Sequence, residues 1–145
     1  YEPIGMRLRV EDGPGQIRVI NDAYNANPMS MAAALHTLCS VPRTQGSRRF
    51  ALLGDMLELG AGELDAHREI IALAESLDLD ILGLVGPRFA EAAGSQSTHL
   101  LAEDAASLAQ ILKKQLRPGD VVLLKGSRGL AMEGVLSALQ TEAPH

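Results

Sequence analysis

The sequence has no tryptophan and, among 145 residues, only two phenylalanines and two tyrosines, although 46% of it is hydrophobic. Its core must therefore be aliphatic. The one cysteine, Cys39, excludes an internal disulfide and falls near the end of an expected helix, which suits a reduced, cytoplasmic compartment. Positive charge is also scarce. Thirteen Lys and Arg stand against eighteen Asp and Glu, for a formal net charge of -5, and no basic run is long enough to neutralise a row of nucleic-acid phosphates. No apolar stretch approaches the roughly 18 residues that span a bilayer, so neither nucleic acid nor membrane insertion is expected. Position 1 is Tyr rather than Met, close to a strand, which leads to the expectation of a segment from a longer protein. Internal repeats, low-complexity tracts and dividing linkers are absent, and residues 1–145 read as one domain.

Two phosphate-binding loops are missing as well. GxGxxG does not occur at the first strand-to-helix junction, and GxxxxGK[ST] occurs nowhere. The chain therefore does not hold a nucleoside triphosphate alone by that mechanism.

What is present is a regular alternation of strand and helix patterns. Residues 6–10 and 16–24 read as strands of an antiparallel hairpin joined by EDGPGQ. Asn27 and Pro28 read as the N-cap and first residue of a helix running to about Cys39, with Met31, Leu35 and Leu38 at helical spacing. A polar loop, RTQGSRR, ends it. Residues 50–53 form a short buried strand, LGDMLELGAGE a loop, and residues 63–77 a helix with Ile70, Ile71, Ala74 and Leu77 inward. Residues 81–85 are the next strand, 87–93 a short helix and 98–102 a brief strand-like link. The spacing predicts a helix over 104–116 with Leu108, Ile111 and Leu112 inward, Lys113 and Lys114 near its C-terminal dipole, and Pro118-Gly119 as the stop. Residues 121–124 make the last strand. A final helix over 128–140 carries Met132, Val135, Leu136 and Leu139 on one face. This order predicts an α/β, Rossmann-like, mostly parallel sheet with helices on both faces and an N-terminal antiparallel hairpin.

The conspicuous polar clusters each follow a strand: residues 22–27, 54–58 and 125–128. A core has no use for an acid, a phenol and several carboxamides such as those of NDAYNANPMSM. In open α/β sheets ligands bind at the carboxyl ends of the strands, so three loops on that one edge mark a candidate site. Lys125, Gly126, Ser127 and Arg128 offer an anion site, because a helix N-terminus presents free backbone N–H groups beside two cations.

At these residues the sequence resembles the Mur ligases. Three motifs carry the resemblance: DAYNANPMSM at 22–31, LGDMLELG at 53–60 with His67 following, and KGSRGLAME at 125–133. Within the family, the first motif is close to diagnostic of members that join D-alanyl-D-alanine to UDP-N-acetylmuramoyl-tripeptide. The three occur in the order and spacing of such enzymes' C-terminal domain. The resemblance spans essentially the whole chain but only the last of three domains, so the N-terminal UDP-binding and central ATPase domains are expected to lie outside it. It implies an ATP-dependent amide ligation in peptidoglycan synthesis. The tripeptide's terminal carboxylate is phosphorylated to an acyl phosphate, which the D-alanyl-D-alanine amine then attacks. In such ligases the central domain supplies the phosphate loop, the Mg2+ ligands and most of the electrostatic stabilisation. ATP and Mg2+ then belong to the full-length enzyme, with no tight cofactor and no catalytic residue in this domain. Its share is to help hold the dipeptide and to close over ATP against the central domain, which orients the reactants and excludes water.

The resemblance also assigns residues. Asp22 would contact the ATP ribose hydroxyls, its alternative being an Asx-type turn brace. Tyr24 and Asn25 would flank the nucleotide or else form a polar turn, and Asn27 is expected to cap its helix. Arg7 corresponds to an arginine reaching ATP from the interdomain hinge, with Arg9 as competitor and a solvated strand position as alternative. Asp55 and Glu58 border the amino-acid site, where a carboxylate attracts the dipeptide's ammonium, or they belong to a solvated loop. His67 is either a ligand contact or a satisfied, semi-buried histidine. Lys125 and Ser127 would bind the dipeptide carboxylate or line the closed site, Ser127 also serving as a helix cap. Arg128 is a further contact or a surface charge. A stand-alone, non-catalytic binding module with a ligase-like fold is the competing reading, and a folate-polyglutamylating relative would be expected to differ in the first motif.

Overall fold

The computed structural model describes residues 10–12, 18–22, 27–41, 47–57, 59–95, 98–112, 114–117 and 119–126. In chain order these form β1 (Val10–Asp12), β2 (Arg18–Asp22), α1 (Pro28–Ser40), β3 (Arg49–Gly54), α2 (Glu63–Ser76), β4 (Ile81–Val85), α3 (Pro87–Ala93), β5 (Leu100–Ala102), α4 (Ala105–Leu112) and β6 (Val121–Lys125). A 3-10 turn at Gly60–Gly62 leads into α2.

The strands make a single sheet in the order β1-β2-β6-β3-β4-β5. β1 runs antiparallel to β2, and every other pairing is parallel. The pairing Val10↔Ile20, Glu11↔Val19 and Asp12↔Arg18 makes strand of two residues that EDGPGQ assigns to a connection. Residues 13–17 lie outside the described residues, as do residues 6–9 and the final helix expected over 128–140.

The central strands are apolar on both faces, as parallel strands covered by helices must be. In β3 every residue is buried. Ala51 and Leu53 face one cluster with Ile20, Leu82, Leu84 and Leu123, covered by α1, α2 and α3. Phe50 and Leu52 face the other with Val122 and Leu124, covered by α4. The crossovers advance from β2 through β5 on one face and return to β6 on the other. With right-handed connections, that reversal puts α4 opposite the first three helices.

Each helix buries the stripe that its period provides. Met31, Ala34, Leu35 and Leu38 are the buried residues of α1, and His67, Ile70, Ile71 and Ala74 those of α2, both at i, i+3, i+4, i+7. α4 is shorter than its sequence pattern predicts. It ends at Leu112, and the N–H groups of Gln115 and Leu116 close a turn on the Leu112 carbonyl at 2.9 and 3.0 Å. Its buried face is Leu108, Ala109 and Leu112, with Ile111 only half-buried. Full burial of one such leucine contributes about 1.5–3 kcal/mol.

The amino ends of the strands carry structural ion pairs. Arg48 meets Asp120 at 2.9 Å, and the Arg49 guanidinium donates to the Cys39 and Val41 carbonyls at 2.8 and 3.0 Å, closing the C-terminus of α1. Among the described residues no helix is long and apolar enough to cross a membrane.

Candidate functional site

At the carboxyl edge of the sheet the backbone brings the expected residues into line. Lys125 ends β6, and its Cα pairs with Asp22 at the end of β2 on one side and with Leu53 of β3 on the other. One residue further along, Gly54 pairs with Val85 of β4, which pairs with Ala102 of β5. Lys125 is only 2% exposed. Two positions beyond Leu123, it points to the face covered by α1, α2 and α3. A buried ammonium at a strand end acts in a low dielectric, where its field is stronger than at the surface.

Asn27 opens α1 with a reciprocal capping box. Its Oδ1 accepts from Ser30 N at 2.9 Å, while Ser30 Oγ accepts from Asn27 N at 3.1 Å. Asn27 is therefore committed to the helix, as expected of an asparagine directly before Pro28.

The loop after β3 is held by a connected set of buried polar groups. Asp55 is fully buried; its carboxylate accepts from Arg88 N at 2.9 Å and Phe89 N at 2.8 Å. These are free amides of the first turn of α3, which has no side-chain cap of its own at Gly86. Gly86 sits at φ 108°, and a Cβ there would come within 2.5 Å of the Asp55 carboxyl carbon. The missing side chain leaves the space that the carboxylate fills. Arg88 reaches Glu63 Oε1 with Nε at 2.8 Å and approaches Asp55 with Nη1 at 3.6 Å. The Glu63 hydrogen bond, reinforced by the charges of Glu63 and Asp55, outweighs desolvation and raises the guanidinium's pKa.

His67 closes the circuit from α2, one turn beyond Glu63. Met56 N–H can only donate, so Nε2 is the acceptor of that 3.0 Å bond. The ring hydrogen then sits on Nδ1 and is donated to the Glu63 carbonyl at 2.6 Å. The ring meets Phe89 edge-on, with centroids 4.6 Å apart and an interplanar angle of 79°. Both ring nitrogens are thus occupied inside the fold, and of the two readings of His67 the satisfied histidine describes this geometry. Asp55 likewise is neither a solvated loop residue nor open to an ammonium in this structure, since its oxygens already cap α3.

Arg7, Tyr24, Asn25, Glu58, Ser127 and Arg128 lie outside the described residues, and of Asp22 the backbone alone is described. Among the described residues no three His, Cys, Asp or Glu side chains gather as a metal site. Sequence reasoning passes over Arg88 and Glu63. The available signal is a Gly-Pro helix start without Ser, Thr, Asp or Asn at the N-cap, which requires an acceptor from elsewhere in the fold.

Residues 6–128 match the family model described as Mur ligase, glutamate ligase domain. The chain is 40% identical over 127 residues to the UDP-N-acetylmuramoyl-tripeptide--D-alanyl-D-alanine ligase of Treponema pallidum, covering 83% of this chain and 27% of that protein. The ligase of the same name from Bacillus subtilis is 34% identical over 143 residues, covering 93% and 30%. Among solved structures, the MurF ligase of Thermotoga maritima in complex with ADP superposes with a TM-score of 0.80 at 28% identity, over 99% of this chain and 32% of that one. A MurF from Acinetobacter baumannii also gives 0.80, at 31% identity over 97% and 31%. The chain therefore spans about 27 to 32% of the length of these relatives.

Proposed function

This chain belongs to the Mur ligase family, and from that membership we propose that it is the C-terminal domain of a UDP-N-acetylmuramoyl-tripeptide--D-alanyl-D-alanine ligase acting in peptidoglycan synthesis. The observation that carries the reading is the alignment of Asp22 and Lys125 as Cα partners at the carboxyl ends of adjacent strands, inside the motifs that mark this branch of the family. Asp22 serves the ATP ribose, because a carboxylate is a good acceptor for a vicinal diol. Tyr24, Asn25 and Arg7 complete the nucleotide side. Lys125 serves the dipeptide carboxylate together with Ser127 and Arg128, a cation at a strand end being suited to an anion. Glu58 borders the amino-acid site. Asp55 and His67 enter as positioning residues, since their polar atoms are engaged within the fold.

The transfer of phosphate is assigned to a central ATPase domain, and no step through Mg2+ is assigned to this chain's residues. UDP-linked tripeptide and ATP place the reaction in the cytoplasm. This domain closes over the nucleotide and orients the incoming amine, a contribution from positioning and water exclusion rather than proton transfer.

The test uses the full-length gene product that carries this chain. Phosphate release should require both UDP-N-acetylmuramoyl-tripeptide and D-alanyl-D-alanine. Asp22→Ala and Lys125→Met, the latter keeping the buried stem's volume, should each lower kcat/KM about 100-fold. Full rates in both variants would remove these residues from the site. A gene product without an ATPase domain would favour the stand-alone binding module. The 145-residue chain by itself is expected to release no phosphate, and turnover there would move the chemistry into this domain.

A further inference from the structure

The loop that follows β3 begins beside Lys125, because Leu53 is the Cα partner of that lysine. Loops at strand ends are ordinarily the mobile, variable parts of a fold. This one is held by buried polar groups on both sides: Asp55 is tied to the first turn of α3, and Met56 to His67 on α2. Gly86 has no side chain with which to cap α3, and a carboxylate from the loop takes that task. Arg88 is the member that joins the two sides, touching Glu63 at 2.8 Å and Asp55 at 3.6 Å.

We propose that Arg88 is a positioning residue for the ligation: by bridging Asp55 and Glu63 it clamps the loop between β3 and α2 in the conformation that the Lys125 side of the site requires. The inference rests on the proposed function for its catalytic consequence. Its structural half, the clamp, does not. Arg88 sits 36% exposed at the rim of the circuit, so its removal leaves the apolar core intact, unlike removal of Asp55 or His67. Glu63 is the first residue of α2 and its carbonyl holds the His67 ring. Releasing its side chain therefore loosens the acceptor of the Met56 amide.

The experiment compares the full-length protein with its Arg88→Ala and Arg88→Lys variants, with Arg68→Ala on the exposed face of α2 as control. Amide exchange of Met56 is read against a core amide such as Leu123, alongside kcat and KM for ligation. Arg88→Ala should speed Met56 exchange while Leu123 stays protected, and lower kcat/KM about ten- to a hundredfold, as small misplacements in a site do. Arg88→Lys, which offers one cation but no planar fork for two carboxylates, should fall between. Arg68→Ala should match the parent. Unchanged Met56 exchange in Arg88→Ala would overturn the clamp. Faster exchange with unchanged kcat/KM would overturn the positioning role, and equal loss of protection at Met56 and Leu123 would show a residue that merely supports the fold. A parent protein that does not ligate at all would instead sink the functional reading, and the exchange measurement would still decide the clamp.

Discussion

Replacing Gly86 by alanine should disrupt the junction of β4 and α3 for two separable reasons. The residue holds φ 108° and ψ 163°, a region essentially confined to glycine that costs another residue about 1–3 kcal/mol. A Cβ would also lie 2.5 to 2.7 Å from the Asp55 carboxyl carbon and oxygens. That group cannot step aside without releasing the two amides it holds at 2.9 and 2.8 Å. A hydrogen bond to a charged group contributes about 1.5–3 kcal/mol, and the two share one carboxylate, so its displacement should cost about 2–4 kcal/mol. Together with the strain, Gly86→Ala should cost roughly 3–7 kcal/mol, a large part of the about 5–15 kcal/mol that holds a domain folded. In an Asp55→Ala background the carboxylate is already gone, and the same substitution should cost only the strain, about 1–3 kcal/mol. The two changes should therefore fall short of additivity by about 2 kcal/mol or more. Urea titrations of the parent, the two single variants and the double variant, with unchanged m values, give the cycle directly. Additivity within about 0.5 kcal/mol would refute the idea that the Cβ and the carboxylate compete for one space.

Arg49→Leu should destabilise the domain by about 2–4 kcal/mol, because it strips the donors from the α1 carbonyls while leaving the apolar stem in place; a melting temperature unchanged within error would show those bonds to be dispensable. Asp104 accepts from Ser107 N at 2.8 Å at the start of α4, and this backbone hydrogen bond, with the Ser107 side chain second, holds its carboxyl below the usual aspartate value. A depressed folded value means that the stabilisation is present above the ordinary aspartate range and is lost as pH falls through the lowered one. Asp104→Ser keeps a cap and removes the titration, so its acid-side loss of stability should be shallower. An NMR titration of Asp104 with a midpoint at or above the ordinary value would contradict this.

Much of the fold is legible in the sequence for local reasons. β3, β4 and β6 are continuous apolar runs because parallel strands buried on both faces admit little else, and α1 shows its N-cap, its first-turn proline and its core stripe in one stretch from Asn27 to Leu38. The candidate site is legible as an address for the same reason: polar residues directly after such strands can only stand at the carboxyl edge. The three motifs add the family.

Tertiary structure alone decides which of those residues remain available. Nothing in the local pattern says that β6, last of the described strands, slots between β2 and β3 and so brings Lys125 beside Asp22. Nor does it say that Asp55 is spent on a helix whose amides come 33 and 34 residues later, or that His67 at the first core position of α2 bonds back to Met56. Hydrophobic period and capping act over a few residues and are written in them. Hydrogen bonds between side chains and distant backbone exist only once packing has brought their partners together, and the groups then find their partners or are buried at a cost.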